Sequence, residues 1–304
     1  MSHIPVSQHV NTQALKAIVL TILACLCFSV LDAIAKYISH VVPVLQVIWM
    51  RFAVHAVLAV IIFRGWRKPY IISTKRPFLQ IVRSLCLVGT TFGNFLALQH
   101  LQLAETMAIT FAVPLLVTAL AGPLLGEWAG PHRWAAIVVG FIGVLIVAQP
   151  GTGHMHWAVI YSIGATVLYS FYSILTRVLT GTDSPTSMIV ISALVGACVM
   201  TPIGSSVWEA PPTYFYWALL LSTGVLGGFG HWIFIHAHRL APAPVLAPFI
   251  YFQIVWMIVL GYYVFDDVPA PTTLIGAGLV VCSGLYVLYR EQVKGRGKRN
   301  APLV

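Results

Sequence analysis

The chain has 304 residues, of which 59% are hydrophobic and only 8% are charged, and its formal net charge at pH 7 is +9. A soluble domain of this composition would expose far more apolar surface than water tolerates, so the composition excludes a soluble globular protein. The apolar residues form long runs rather than alternating with polar ones, which excludes the strands of an outer-membrane barrel.

The apolar runs have the length of membrane-spanning helices. At a rise of 1.5 Å per residue, about 20 mostly apolar residues cross the roughly 30 Å of hydrocarbon in a bilayer. Ten runs meet this requirement, and they cover residues 15–38, 44–63, 78–99, 104–124, 132–149, 157–178, 186–207, 214–237, 242–265 and 271–290. The sequence therefore predicts an all-α integral membrane protein with ten transmembrane helices. The short connections between them leave no room for a soluble domain.

The basic residues predict the orientation, because short loops rich in Lys and Arg stay in the cytoplasm. If the N-terminus is cytoplasmic, the cytoplasmic gaps and the tail contain Arg64, Arg67, Lys68, Lys75, Arg76, Arg133, Arg177, Arg239, Arg290, Lys294, Arg296, Lys298 and Arg299. The opposite gaps offer only Lys36 as a basic residue. We expect residues 1–14 and the basic tail 291–304 to be cytoplasmic, and we prefer this interpretation of the charge to a nucleic-acid partner.

The cysteines give no sign of a disulfide framework or a metal site. All five lie inside predicted spans, without a CxxC pair and without histidines at zinc spacing: Cys25, Cys27, Cys86, Cys198 and Cys282. No cofactor is predicted.

A weak internal repeat divides the chain into two halves. Shifting the sequence by 137 positions places Gly93 on Gly230 and Leu103 on Leu240, and it pairs helices 3 and 4 with helices 8 and 9. This pairing predicts two five-helix repeats, at residues 15–149 and 157–290. An odd number of helices per repeat forces the second copy to be inverted. Inverted repeats are typical of carriers that work by alternating access.

Glycines and prolines identify the interior helices. Gly89 and Gly93 form a GxxxG pattern in helix 3, and Gly224 with Gly228 form another in helix 8. Small residues let helices approach closely, either for tight packing or for a sliding surface. Three prolines should bend helices 4 and 9, with the freed carbonyls facing a cavity: Pro114, Pro244 and Pro248.

One stretch carries a family resemblance. The segment from Ala112 to Glu127, AVPLLVTALAGPLLGE, resembles the proline-to-Gly-Glu signature of the EamA-type carriers in the drug/metabolite transporter superfamily. A second copy begins at Ala247 but ends in Asp266-Asp267 where the family has Gly-Glu, so we expect Asp267 to be a helix-end residue rather than a shared functional group.

The resemblance covers residues 15–290. It implies ten helices in two inverted halves in the bacterial inner membrane, and the chain looks most like bacterial amino-acid exporters of the YddG kind. Sister carriers move nucleotide-like or vitamin-like metabolites on the same scaffold.

Ionisable residues inside a bilayer are costly and are functional candidates by default. Asp32 and Lys36 lie one turn apart on helix 1, and Arg51 on helix 2 has a depth similar to that of Asp32. We predict that Asp32 and Arg51 pair, either as a structural ion pair or as a gate that meets a zwitterionic substrate. Lys36 could instead extend to the surface. For Arg83 on helix 3, contact with lipid head groups and a role in transport remain equally open.

Polar and aromatic residues on the interior helices are the candidates for substrate binding. We select Asn94, Thr110, Tyr169, Tyr172, His231, Trp232, Tyr251 and Gln253. In the shifted alignment Asn94 matches His231, which favours a central pocket. A pocket with aromatic walls and a few amide or hydroxyl groups suits amino acids broadly, including aromatic ones.

The leading prediction is therefore a secondary transporter that exports amino acids by alternating access, is not an enzyme, and acts as a monomer or homodimer among membrane lipids. The alternatives are a carrier of the same superfamily for another small metabolite, possibly an uptake carrier, or an intramembrane enzyme. An enzyme would need clustered His, Asp or Glu residues, and the chain has no HExxH, GxSxG or Walker motif.

Overall fold

The computed structural model describes residues 6–63, 72–149, 156–241 and 243–299, and this part of the chain contains twelve α-helices and no strand. The helices are α1 (Val6–Ile38), α2 (Val44–Ile62), α3 (Pro77–Leu98), α4 (Leu103–Thr110), α5 (Val113–Leu125), α6 (Pro131–Ala148), α7 (Val159–Leu179), α8 (Pro185–Ser206), α9 (Tyr214–Leu240), α10 (Ala243–Ile250), α11 (Gln253–Phe265) and α12 (Pro271–Arg299). They supply ten candidate membrane spans among the described residues. The predicted fold class is confirmed.

The first and last helices are longer than predicted. α1 already begins at Val6 and α12 continues to Arg299, so parts of the two predicted terminal segments are helical. Hydropathy marks only the part of a helix that lies in hydrocarbon, and backbone hydrogen bonding continues into the polar flanks. Three residues of the predicted cytoplasmic loop lie outside the described residues: Arg64, Arg67 and Lys68.

Two of the crossings are broken helices. α4 ends at Thr110 and α5 begins at Val113, while α10 ends at Ile250 and α11 begins at Gln253. Pro114 lies in the first turn of α5, and Pro248 lies inside α10; neither has an N–H for the helical ladder. The Sγ atom of Cys25 lies 3.9 Å from the Ile250 carbonyl oxygen and provides a weak donor to it. The predicted bends of helices 4 and 9 are therefore complete interruptions.

The two broken crossings repeat each other at a constant spacing. α4 and α10 begin and end 140 residues apart, and so do α5 and α11. α5 and α11 are each followed by a residue in the left-handed conformation, Gly126 (φ 74°) and Asp266 (φ 55°). The next N–H donates back six residues in each case, from Glu127 to Ala121 O and from Asp267 to Gly261 O, both at 3.0 Å. We refer to α1–α6 as the first half and α7–α12 as the second half.

The packing also corrects the spacing read from the sequence. Gly89 packs against Leu168 of α7, while Gly230 packs against Cys27 and Phe28 of α1. Because Cys27 and Leu168 are 141 positions apart, Gly89 is the equivalent of Gly230. The predicted match of Gly93 with Gly230, and with it the match of Asn94 with His231, is one helical turn out of register. Glycine patterns that recur every turn fit almost equally well at either shift.

The halves are interleaved rather than side by side. The four most extensive helix contacts all join one half to the other: α1 with α9, α3 with α7, α2 with α8, and α6 with α12. Glycines make these contacts close, since a Cβ atom added to Gly224 would lie 2.5 Å from Val54 Cβ. We call the side where α1 begins and α12 ends the terminal face, and the other side, where α1 ends, the opposite face.

Candidate functional site

A cluster of buried and partly buried polar residues lies where α1, α2 and α3 meet. The Asn94 side-chain amide donates to Asp32 Oδ1 at 3.1 Å, and Arg51 Nη1 donates to Thr91 Oγ1 at 3.0 Å. Thr91 and Asn94 are three residues apart, so they share one face of α3. The Arg51 guanidinium also lies over the Phe52 ring, 4.7 Å from its centroid. One face of α3 therefore binds the Asp32 carboxylate and the Arg51 guanidinium at two separate points.

The predicted direct ion pair between Asp32 and Arg51 is not formed. In the described part of the chain, no contact within 4.0 Å joins these two side chains, although their charges interact over a longer distance. Asn94 and Thr91 bind one charge each and thereby keep them apart. Arg51 also retains an unused donor, because its buried Nε atom has no hydrogen-bond partner.

Histidines from both halves adjoin this cluster. The His55 ring, one turn after Arg51 on α2, stacks with the His231 ring of α9, with centroids 6.2 Å apart and planes inclined by 11°. Phe28 of α1 also contacts His231, with ring centroids 5.0 Å apart. His231 thus lies beside the cluster, although its repeat partner is not Asn94, and its role in a central site stays a prediction. Among the described residues, no group of three or more His, Cys, Asp or Glu side chains could hold a metal ion.

Tyr169 and Tyr172 continue the site toward the terminal face. Their rings stack with centroids 5.6 Å apart, and the Arg83 guanidinium lies 5.1 Å from the Tyr172 centroid. These predicted aromatic residues therefore lie together, next to a second buried cation.

Arg83 does not contact lipid head groups, because it is only 2% exposed. Its Nη2 atom donates to Met188 O at 2.6 Å and to Ser192 Oγ at 2.7 Å, and its Nε atom donates to Gln80 Oε1 at 2.9 Å. Arg83 therefore ties α3 to α8. The sequence shows only that Arg83 lies near a helix end, whereas its role depends on Met188 and Ser192 of α8, which are distant along the chain.

Three other candidates lie at the helix breaks. The Thr110 hydroxyl donates to Thr106 O at 2.9 Å, within its own helix. Tyr251 is buried, its ring lies 4.9 Å from that of Phe111, and its hydroxyl has no hydrogen-bond partner. Gln253 is the buried first residue of α11. These residues belong to the junctions between segments rather than to the Asp32 cluster.

Trp232 is not a pocket residue. It is 47% exposed and stacks between Phe229 and His236, which lie on the same outward face of α9. One position along a helix turns the side chain by about 100°, so the neighbour of an inward His231 points away from the bundle. The prediction for Trp232 is therefore wrong, and its position suits contact with lipid.

Lys36 is also placed differently from the prediction. Instead of extending to the surface, its Nζ atom forms an ion pair with Asp267 Oδ2 at 2.8 Å and donates to Leu101 O at 3.1 Å. It lies 4.7 Å from the centroid of the Phe265 ring. Asp267 is thus a helix-end residue, as expected, and in addition the partner of a charge in the other half.

A cavity of about 400 Å³ lies at the opposite face, between the α3–α4 connection and the nearby ends of α6, α7 and α12. Its polar lining includes His100, Gln102, Glu105 and Thr273. Burial lowers the pKa of the His100 imidazole, and the charges of His156 and His40 lower it further. This cavity is separate from the Asp32 cluster, because none of the cluster residues lines it.

Comparison with known proteins identifies the architecture. The model of the EamA-like transporter family matches residues 15–149 and 156–289. A solved structure with 18% sequence identity covers 89% of this chain and 96% of its own, with a TM-score of 0.60, which supports the fold.

Several curated relatives span nearly the whole chain. An S-adenosylmethionine uptake transporter of Rickettsia prowazekii is 27% identical over 270 residues, 87% of this chain and 89% of the relative. A riboflavin transporter of Vibrio cholerae is 25% identical over 278 residues, covering 90% and 93%. A pseudopaline exporter of Pseudomonas aeruginosa is 24% identical over 266 residues, covering 87% and 93%. The narrower resemblance to amino-acid exporters stays a prediction. The two matched repeats show that this multi-pass membrane protein belongs to the EamA-like transporter family.

Proposed function

We propose that the protein is a secondary carrier that moves a vitamin-like or nucleotide-like metabolite across the bacterial inner membrane by alternating access. The observation that carries the proposal is the intramembrane cluster in which Asp32 and Arg51 are held apart by Asn94 and Thr91. Burying charges in a bilayer is costly, and a pair needed only for packing would be expected to neutralise itself by direct contact. Separated charges can instead be satisfied by a substrate that carries polar or charged groups of its own.

The rings beside the cluster favour a flat heterocycle. Phe28, His55 and His231 present ring faces from three helices, and Tyr169 with Tyr172 add a stacked pair. Aromatic faces bind planar ring systems by stacking, while nearby polar groups fix the orientation. S-adenosylmethionine and riboflavin, which the relatives are named for, share this chemistry, since each combines a planar heterocycle with a polar chain.

An amino-acid exporter is the second candidate. Asp32 and Arg51 have the charges needed to bind the ammonium and carboxylate groups of an amino acid, and the aromatic residues would suit aromatic side chains. Direction is a matter of gradients and coupling, because a carrier binds its substrate from either side. The distribution of basic residues supports cytoplasmic termini.

The experiment is transport by the purified chain in proteoliposomes. Labelled S-adenosylmethionine, riboflavin and a panel of amino acids are tested separately, with and without a pH gradient. We expect saturable flux of a heterocyclic compound. We also expect this flux to fall in Asn94→Ala but not in the matched control Thr90→Ala. The Thr90 hydroxyl donates to Cys86 O at 2.8 Å and to Ala165 O at 3.4 Å, and among the described residues it has no hydrogen bond to the Asp32 cluster.

Two results would contradict this proposal. Flux restricted to amino acids would select the second candidate. Flux that is insensitive to Asn94→Ala would place the substrate elsewhere in the bundle.

A further inference from the structure

Two ion pairs occupy equivalent positions at opposite faces of the bundle. Lys36 near the end of α1 pairs with Asp267 after α11, at 2.8 Å. Arg177 near the end of α7 pairs with Glu127 after α5, through two hydrogen bonds of 2.9 and 2.7 Å. The basic residues are 141 positions apart and the acidic residues 140, which are the spacings that relate the two halves.

Each acidic residue is placed by the same backbone geometry. Gly126 and Asp266 both take positive φ angles, and this left-handed turn directs the following residue back across the helix end. Glu127 and Asp267 therefore leave their helices in the same direction relative to their own half. The aspartate pair that departs from the family signature thus occupies the Gly-Glu position with its geometry intact.

Each pair joins one half to the other. Lys36 and Glu127 belong to the first half, and Arg177 and Asp267 belong to the second. Since the second half is inverted, the Lys36 pair lies at the opposite face and the Arg177 pair at the terminal face. A movement that separates the halves at one face must therefore break the ion pair at that face and can leave the other in place.

The two pairs are unequal in this structure. The Lys36 and Asp267 side chains are 11% and 23% exposed, and Lys36 has the additional contacts with Leu101 O and the Phe265 ring. The Arg177 and Glu127 side chains are 59% and 51% exposed. Exposed ion pairs contribute little because water and salt screen them, whereas a pair shielded from water is held more firmly. The Lys36–Asp267 pair is thus the more firmly held of the two.

We propose that these two ion pairs are reciprocal gates, with Lys36–Asp267 closing the opposite face and Glu127–Arg177 closing the terminal face in alternation. This inference rests on the proposed alternating-access function. It assigns gating roles to Asp267, Glu127 and Arg177. Asp266-Asp267, which stands where the family signature has Gly-Glu, is compatible with a working gate.

The experiment measures access beneath each gate and needs no substrate. Single cysteines replace Ala33 and Ile174, which are buried, lie 141 positions apart and precede Lys36 and Arg177 by three residues. The full chain has its five native cysteines replaced. Labelling by a membrane-impermeant maleimide is followed in proteoliposomes.

We expect Lys36→Met and Asp267→Asn to raise the labelling rate at position 33 about tenfold and not at position 174. Arg177→Met should raise labelling only at position 174, by less, because that pair is already exposed. Asp267→Glu, which installs the residue found at the equivalent position 127, should keep the parent rate. Lys16→Met, on an exposed part of α1, is the matched control and should change neither rate.

Several outcomes would overturn the gates. In the first, the gate variants label equally at both positions, and in the second, they label at the rates of the Lys16→Met control. In the third, neither Lys36→Met nor Asp267→Asn purifies as monodisperse protein, which would make this ion pair a structural lock. None of these results depends on the transported compound. If the labelling supports both gates but neither heterocycle is transported, only the proposed substrate class is refuted.

Discussion

Phe111 and Tyr251 occupy equivalent positions in the two halves and contact each other, with ring centroids 4.9 Å apart and planes at 77°. Each lies in the break of a crossing, between α4 and α5 or between α10 and α11. Because equivalent residues of two related halves can meet only near the axis that relates them, this contact marks that axis. In the proposed alternating access, the side chains there should move least.

Tyr251 also makes a close contact that can be tested with Gly284 of α12. The Tyr251 hydroxyl has no hydrogen-bond partner and fills the space that a side chain at Gly284 would occupy. We expect Gly284→Ala to destabilise the protein by about 1–3 kcal/mol through overpacking. The Tyr251→Phe change should be nearly neutral and should relieve part of that loss, since the ring Cζ atom would still lie 2.9 Å from the added Cβ.

Thermal unfolding of the detergent-solubilised protein would measure this double-mutant cycle. Additive effects of the two substitutions would contradict the contact. A fall in transport in Tyr251→Phe without loss of stability would show that the hydroxyl meets substrate.

The bond between Asn94 and Asp32 predicts different outcomes for two substitutions. Asn94→Ala removes the donor and leaves the partly buried Asp32 carboxylate without that hydrogen bond, which typically costs about 1–3 kcal/mol. Asn94→Asp places a second carboxylate beside the first and should be worse. We expect transport to fall at least about tenfold in Asn94→Ala and further in Asn94→Asp. Initial rates in proteoliposomes would establish the order, and a more active Asn94→Asp variant would refute it.

Close approach of α9 to α2 predicts that alanine destabilises the protein at one glycine and does not at another. A Cβ atom added to Gly224 would lie 2.5 Å from Val54 Cβ and 3.0 Å from the Arg51 carbonyl oxygen. Gly224→Ala should therefore destabilise the protein by about 1–3 kcal/mol. At Gly278 of α12 nothing lies within 4 Å, so Gly278→Ala is the matched control and should gain up to about 1 kcal/mol from helix propensity.

Unfolding temperatures of the two alanine variants would decide between tight packing and open space at these sites. If Gly224→Ala were as stable as Gly278→Ala, the α2–α9 contact would have to be looser than the structure shows.

Arg83 should be intolerant even of lysine. Its guanidinium donates to the Met188 carbonyl, the Ser192 hydroxyl and the Gln80 amide oxygen at the same time, and an ammonium group cannot reproduce that planar arrangement. We expect Arg83→Lys to lower stability by about 2–3 kcal/mol. Arg76→Lys, at an exposed position just before α3, is the control and should have no effect on the unfolding temperature. Equal stability of the two lysine variants would contradict a structural role for Arg83.

The number of crossings was predictable because hydropathy depends on composition over about 20 residues and tolerates local irregularity. The breaks at residues 111–112 and 251–252 were predictable only as bends. Proline shows where a hydrogen bond is missing, but whether a helix bends or stops depends on neighbours such as Cys25 that supply other donors.

The details of the site depended on rotations that the sequence does not show. His231 and Trp232 are adjacent and equally plausible as ligands, yet only one faces the bundle. Asp32 and Arg51 have matching depth, but Asn94 and Thr91 lie between their charges. For Asp267 the signal was present, because Lys36 and Arg177 stand at equivalent positions. Lys36 and Arg177 are equivalent at a shift of 141 positions between the two halves, but not at the shift of 137 that the sequence repeat suggests.

The halves also differ in the length of two equivalent membrane-spanning helices, α3 and α9. α9 has 27 residues while its counterpart α3 has 22, so α9 is about 40 Å long and exceeds a hydrocarbon layer of about 30 Å. A helix that is too long for its bilayer tilts, and the tilt grows as the bilayer thins. Acyl-chain length would therefore act unequally on these two helices, and under the proposed alternating access it would shift the balance between inward- and outward-facing states.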